Sequence, residues 1–290
     1  MPVTDSTRSV RLAPPALLLA LVMALTASLA GASPAYAQDS GSSETTDPAP
    51  EPPVTEPEPE PEPEPRTFVR RSRLVGESVQ GRPIRAFYRG DPSATLVTMV
   101  IGSMHGNERA GESTVRWMKR HSRPRQGTGV WLVPTMNPDG ARIGRRQNAS
   151  GVDLNRNWPT SGFSSASSSC CYGGPSPASE PETQAMKRFL RSIGPRRVVS
   201  IHQPYRTVAA NGKSPRFERR LARLLRLPLD EVGVGNPDGT LAPTMSSWFN
   251  ARQRGTMVTV EYASSTTTAY RTSFAGRAVQ RALGLGRQER

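Results

Sequence analysis

The chain is sparing with several residue types that often mark a function class. Two cysteines, Cys170 and Cys171, stand side by side in 290 residues. That excludes a disulfide-stapled scaffold. Only three histidines occur, His105, His121 and His202, so any histidine-based metal site must draw on them. Lysine is nearly absent: Lys119, Lys187 and Lys213 are the only three among 38 basic residues. There is one long apolar run, Ala16 to Ala30 (ALLLALVMALTASLA), which excludes a polytopic membrane protein.

What is present falls into three unlike segments. Arg8 and Arg11 precede the apolar run, and Ala35-Tyr36-Ala37 closes it with a small-x-small pattern. A basic start, an apolar centre and such an end describe a secretory signal peptide over residues 1–37. The apolar centre is short for a membrane span of ~20 residues, which disfavours a retained anchor. The expected location is secreted, extracellular or in the cell envelope, with no transmembrane segment after cleavage. Residues 38–65 (QDSGSSETTDPAPEPPVTEPEPEPEPEP) carry nine acidic and no basic side chains. They bury too little to offset their ordering entropy, and alternating Glu-Pro favours an extended, disordered linker.

Residues 66–290 hold 36 Lys and Arg against 14 Asp and Glu. A basic exported domain is attracted to polyanions such as anionic cell-wall polymers, although surface solvation alone also accounts for an arginine-rich composition. No nucleic-acid motif accompanies the charge, so nucleic acid is not expected as a partner. The near-continuous apolar run Thr95 to Ser103 reads as a strand buried on both faces. Further strands are expected at Gly129 to Met136, Val198 to Ile201 and Thr256 to Tyr262. Helices are expected at Arg109 to His121, from Ser179 to Ile193, after Ser214-Pro215 and over Ser273 to Leu285. Ser179-Glu180-Pro181-Glu182 reads as a capping box. Alternating strands and helices predict an α/β domain with a mixed, largely parallel sheet. Ligands of such sheets bind beyond the carboxyl ends of strands.

That is where the chemistry-bearing residues fall. His105-Gly106-Asn107-Glu108 follows the first buried strand, and His202 ends the next one. Two His and one Glu are the ligand set of an open catalytic zinc site, one ion per chain. Glu261 sits in an otherwise apolar strand, where a carboxylate needs a reason; a general base beside the metal would supply one. His121 ends a helix, where a cation suits the dipole. Asn137-Pro138-Asp139-Gly140 reads as a turn. Arg146 is a candidate for stabilising an oxyanion. In GVDLNRN (Gly151 to Asn157), the amide of Asn155 and the guanidinium of Arg156 suit a ligand carboxylate.

His105-Gly-Asn-Glu108, NPDG, Arg146-Gln-Asn with GVDLNRNW, SEPET, SIH to His202 and TVEY around Glu261 together resemble the zinc carboxypeptidases of the carboxypeptidase A type. The order and spacing are family-like from Glu77 to the last helix. The compact size and LRLPLDEVGVG…SSWFN look most like the bacterial murein peptide amidase branch, whose members cut between γ-D-glutamate and meso-diaminopimelate. The resemblance implies zinc on His105, Glu108 and His202, and Glu261 as general base and then proton donor. It implies Arg146 at the oxyanion, and Asn155 and Arg156, with Arg146, at the substrate's carboxylate. Asp153 would orient a zinc-ligand histidine. The expected substrate is a peptide or murein peptide, and a monomer is expected. Protein-digesting members carry a substrate-contacting tyrosine where this chain has Gly239. The position that commonly sets side-chain preference falls near Ser246, which predicts neither a basic nor a small preference. A general peptide carboxypeptidase, an N-acyl amino-acid deacylase and a non-catalytic wall-binding module are the alternatives. Thr160 to Gly174 reads as a flexible insertion near the carboxylate pocket. Its Cys170-Cys171 pair is open to a vicinal disulfide, an interchain bond or free thiols.

Overall fold

The computed structural model describes residues 68–166, 170–231 and 242–286. The signal segment, the acidic linker and Gly239 lie outside these. Two strands open the domain, β1 (Val69–Glu77) and β2 (Pro83–Gly90), paired antiparallel. Then come β3 (Leu96–Ile101), α1 (Ala110–His121), β4 (Thr128–Val133), α2 (Pro138–Ile143), α3 (Pro181–Ile193) and β5 (Arg197–His202). The remainder is β6 (Tyr205–Ala209), α4 (Pro215–Leu225), β7 (Leu229–Asp230), α5 (Met245–Arg252), β8 (Thr256–Ala263), a π-helical turn (Tyr270–Phe274) and α6 (Ala275–Leu283).

All eight strands form one mixed sheet in the order β1-β2-β4-β3-β5-β8-β6-β7. Its centre, β4-β3-β5-β8, is parallel throughout, as the buried apolar runs predict. These strands alternate side chains between two packed layers. Val100, Val199, Val258 and Val260 face α1, α4 and α6, whereas Met99, Ile101, Val198 and Met257 face α3 and α5. A strand covered on both faces needs apolar residues at every position. The parallel centre also brings β3, β5 and β8 to neighbouring positions with their carboxyl ends on one edge.

Two sequence expectations need correction. The predicted capping box does not form, because Glu180 is the N-cap of α3 and no side chain caps the helix there. The Glu182 carboxylate instead accepts from the Val79 N–H (3.1 Å) and from Asn148 Nδ2 (3.1 Å), which tie the β1–β2 turn and the 148 loop to the helix start. The NPDG segment is not a simple turn. It opens α2, with Asn137 Oδ1 accepting from the Gly140 N–H (2.9 Å) and Pro138 in the first turn. Cys170 and Cys171 are joined to each other as a vicinal disulfide.

Candidate active site

His105 and Glu108 lie on the short connection from β3 to α1. Ser103 Oγ donates to the His105 carbonyl (2.7 Å), and the Glu108 N–H donates to the same carbonyl (3.1 Å), so the segment folds tightly on itself. Gly106 lets it nestle against α2: a Cβ there would overlap the Gly140 carbonyl carbon. Asn137 Nδ2 also donates to the Arg146 carbonyl (3.2 Å). The NPDG segment thus holds the loop that carries Arg146 against the His105 turn. On the neighbouring strand, His202 is the last residue of β5 and pairs in register with Glu261 of β8.

Strand adjacency brings the three predicted ligands together, all buried. His105 Nδ1 lies 2.8 Å from Glu108 Oε1; His202 Nδ1 lies 3.1 Å from Glu108 Oε2 and 3.3 Å from His105 Nδ1. The opposite nitrogens are engaged elsewhere. His105 Nε2 faces Asp153 Oδ1 at 3.1 Å, and His202 Nε2 faces Ser200 Oγ at 3.0 Å. Both His105 nitrogens thus face carboxylates; with Asp153 keeping a proton on Nε2, Nδ1 would offer its lone pair to an ion shared with Glu108. Two nitrogen donors and a carboxylate therefore converge at separations close to the roughly 3.3 Å edge of a tetrahedral zinc site with bonds of about 2.0–2.1 Å. The residues fit a divalent cation of that kind. Burial works against an imidazolium at His105, but Asp153 and Glu108 outweigh it and push its pKa up. Burial likewise opposes ionisation of Glu108 and Asp153, yet their histidine partners hold both carboxyls well below the usual range.

Asp153 is fully buried because Val152, Leu154 and Trp158 on either side of it are buried too. Apolar residues alternating with Asp153, Asn155 and Arg156 anchor the loop and leave the polar set aimed at the site. Arg146 donates from Nε to Asp153 Oδ2 (3.0 Å) and from Nη1 to Glu108 Oε1 (2.9 Å) while its side chain stays 28% exposed. Arg156 donates to its neighbour's carbonyl at Asn155 (3.0 Å) and makes no ion pair among the described residues. Asn155 Oδ1 accepts from the Met245 N–H (3.1 Å), and its Nδ2 donates to no group among the described residues. A guanidinium next to amide donors can bind a carboxylate bidentately.

Glu261 is 8% exposed. Burial, more than any other cause, raises its carboxyl above the ordinary glutamate value, and its Oε2 has no hydrogen-bond partner among the described residues. His105, Glu108, His202 and Glu261 line one cleft of about 1030 Å³. Arg146, Asn155 and Arg156 lie in it, as do Cys170, Cys171 and Ser246. The segment after Thr160 is tied to the site loop where the Asp153 N–H donates to the Tyr172 carbonyl (2.8 Å). His121 stays apart, its Nδ1 against the Trp117 carbonyl (2.8 Å) at the end of α1.

Two contributors were not singled out in the sequence. Ser200 holds His202, and a small polar residue two positions before it on the same strand face was the available signal. Gln203 braces the ligand turn: its N–H donates to Glu108 Oε2 (3.2 Å) and its Oε1 accepts from the Ala110 N–H (3.0 Å). No local pattern marks it.

A family model described as zinc carboxypeptidase matches residues 67–209. Murein peptide amidase A of Escherichia coli (strain K12) is 31% identical over 179 residues, covering 56% of this chain and 71% of that protein. The carboxypeptidase N catalytic chain of Rattus norvegicus is 27% identical over 215 residues, 61% of this chain and 46% of that one. Among solved structures, murein-tripeptide amidase from Escherichia coli O157 superposes with a TM-score of 0.61 at 24% identity, covering 77% of this chain and 95% of that chain. Bovine thrombin-activatable fibrinolysis inhibitor, solved with a tick carboxypeptidase inhibitor, gives a TM-score of 0.60 at 20% identity over 74% of this chain and 89% of that chain. At those identities the structural matches establish the shared fold, and the sequence matches carry the rest: the chain belongs to the zinc carboxypeptidase family and is a hydrolase.

Proposed function

We propose that this protein is an exported zinc metallopeptidase that cleaves the peptide bond next to a free C-terminal carboxylate, in cell-wall murein peptides. One observation carries the reading. A buried carboxylate, Glu261, with an oxygen that has no hydrogen-bond partner among the described residues, borders the His105–Glu108–His202 cluster, and the same cleft holds Arg156, which makes no salt bridge among the described residues. A reacting group and an anchor for a terminal carboxylate thus share one cleft. The murein choice is supported by the relatives named murein peptide amidase A. Export is supported by the signal-like residues 1–37.

His105, Glu108 and His202 would hold the ion. When bound, zinc acidifies a water and polarises a carbonyl. Arg156 and Asn155 grip the terminal carboxylate and so fix the scissile bond against the cluster. Glu261 takes the proton of the attacking water and then delivers it to the leaving amine. Arg146 lends a remaining N–H to the oxygen that becomes negative as the carbonyl turns tetrahedral. Asp153 keeps the His105 ring in the orientation and tautomer that the cluster requires.

The test is mass spectrometry of muropeptides and of a C-terminal peptide library, using wild type and Glu261→Gln, each with stoichiometric zinc and after chelation. We expect loss of a single C-terminal residue or a single stem-peptide cut by wild type. Chelation should abolish it, and Glu261→Gln should slow it by about 10²–10⁴-fold. Full activity of Glu261→Gln would overturn the assigned role. Cleavage confined to ordinary protein C-termini would move the substrate to the general carboxypeptidase reading, which the match to carboxypeptidase N favours.

A further inference from the structure

The helix layer on the α1 side of the sheet presents a surface that peptide cleavage does not use. Within α4, every exposed residue after Pro215 is arginine: Arg216, Arg219, Arg220 and Arg223. Both exposed residues of α6, Arg277 and Arg281, are arginine as well. With 3.6 residues per turn, the four on α4 fall within an arc of about 100°, recurring about once per 5.4 Å turn. The opposite arc is the buried one, with Phe217, Leu221 and Leu225. α4 and α6 share one core cluster, and Arg220 Nη2 donates to the Arg281 carbonyl (2.7 Å). The two helices therefore form one basic face. None of its arginines lines the cleft.

This face is not neutralised from within. Residues 183–229 contain a single acid, Glu218, and residues 262–288 contain none. Glu218 is buried beneath α4, where its Oε1 accepts from the Ser214 N–H (3.3 Å). None of the six arginines makes a salt bridge among the described residues. Like charges three and four residues apart repel along a helix, so the arrangement works against the fold unless an anion covers it. Several guanidinium planes are also held in place. Arg277 lies 5.7 Å over the Trp117 ring, and Arg226, the C-cap of α4, lies 5.3 Å over Phe274. Arg197, which donates to the Leu283 carbonyl at the end of α6 (3.0 Å), lies 5.3 Å over Phe217. Stacking restricts a guanidinium and leaves its N–H edges open. Burial, and after it the neighbouring Arg220 and Arg196, lower the Arg197 pKa, as crowded cations do.

We propose that α4 and α6 form a binding surface for an anionic polymer of repeating phosphodiester groups, of the polyol phosphate kind. The arginine fork matches a phosphate bidentately, and the face carries no lysine. Charge that recurs at every turn suits a chain with recurring charge better than a single ion. A lipid surface fits poorly: the exposed large apolar residues among those described are Leu74, Val79, Ile143 and Tyr205, none on these helices, so nothing would insert between acyl chains. A nucleic acid fits poorly too, because the aromatic rings that could stack bases lie under guanidinium groups. Lys213, two residues before α4, lines the cleft. A polymer lying along α4 thus ends beside the cleft, and the protein is held to it with the cleft free.

The test is calorimetric binding of the zinc-loaded full chain to polyglycerol phosphate at several salt concentrations. Wild type should bind. Arg216→Gln, Arg219→Gln and Arg223→Gln combined should bind more weakly by roughly tenfold or more, with the slope of log K against log salt reduced by about 2, as for three lost phosphate contacts. Lysine at the same positions should recover that slope and part of the affinity. Arg71→Gln, Arg85→Gln and Arg188→Gln combined remove the same charge from exposed positions on β1, β2 and α3 and should weaken binding far less. Peptide hydrolysis should be the same in all of these variants. No binding by wild type overturns the proposal. Equal weakening by the two glutamine sets also overturns it, since the attraction would then be to net charge. Equal or tighter binding of poly-glutamate, phosphatidylglycerol vesicles or a single-stranded oligonucleotide overturns the polyol phosphate as the partner. Binding needs no cleavage, so a chain that binds the polymer in this way and cuts no peptide fails the peptidase reading alone.

Discussion

Asp153 holds the Nε2 side of the His105 ring. Its carboxylate lies against Nε2, accepts from the Asn155 N–H (2.8 Å) and takes Nε of Arg146. One buried acid therefore orients the His105 ring, the start of the Asn155 loop and Arg146. Removing it frees the His105 ring to rotate and leaves the Arg146 charge paired only with Glu108. We expect Asp153→Ala to weaken zinc binding by about 10–100-fold, read by competition with a chromophoric chelator. Asp153→Asn should be milder, since its amide oxygen can still accept from Nε2. An unchanged zinc affinity in Asp153→Ala would mean that the ring is held by packing alone. The clustered His105 and His202 were readable from sequence because histidine is so rare here and each stands at or just past the end of a buried strand. Ser200 and Gln203 were not, because their roles depend on which atoms lie across the strand and across the turn.

At the scale of elements, the central strands were legible and the edges were not. Strands buried on both faces need apolar residues throughout, which leaves a continuous signal over residues 96–101 and 256–263. β1 lies at the edge of the sheet and carries exposed Arg70, Arg71 and Arg73, so its sequence shows no such run. The start of α3 misleads for a different reason. Ser-Glu-Pro-Glu has the spacing of a cap, but tertiary donors at Val79 and Asn148 claim the Glu182 side chain. That capture has a measurable consequence. Burial, first among its causes, raises the Glu182 carboxyl, and the nearby Glu180 adds to it. The folded chain then binds this proton more tightly than the unfolded chain. The stability contributed is fullest below the ordinary glutamate range and is lost as pH rises through that range toward the raised value. We expect the unfolding free energy of wild type relative to Glu182→Gln to decline as pH rises above the ordinary glutamate range, measured by urea titration at each pH. A gap that stays level or widens would show that the hydrogen bonds fully offset the burial.

For the whole molecule, the site exists only when the sheet does. His105, Glu108 and His202 are brought together by parallel pairing of β3 with β5, and 94 residues separate Glu108 from His202. The unfolded chain offers scattered single ligands, so a zinc ion binds the folded state almost alone and stabilises it by mass action. At a free zinc concentration of about 100 times Kd the gain is about 2.7 kcal/mol. For a folded region of this size that corresponds to a rise in Tm of roughly 5–10 °C over the chelated protein. His202→Ala should lose most of that increment, because it removes one of the three groups that would hold the ion. Magnesium should give no comparable shift, since it prefers an octahedral shell of oxygen and retains its water. Scanning calorimetry of the chelated, zinc-loaded and magnesium-loaded protein reads all three. Equal shifts with both metals, or none with zinc, would mean that the cluster is an ordinary buried hydrogen-bond network and that the family's metal is not held by these residues.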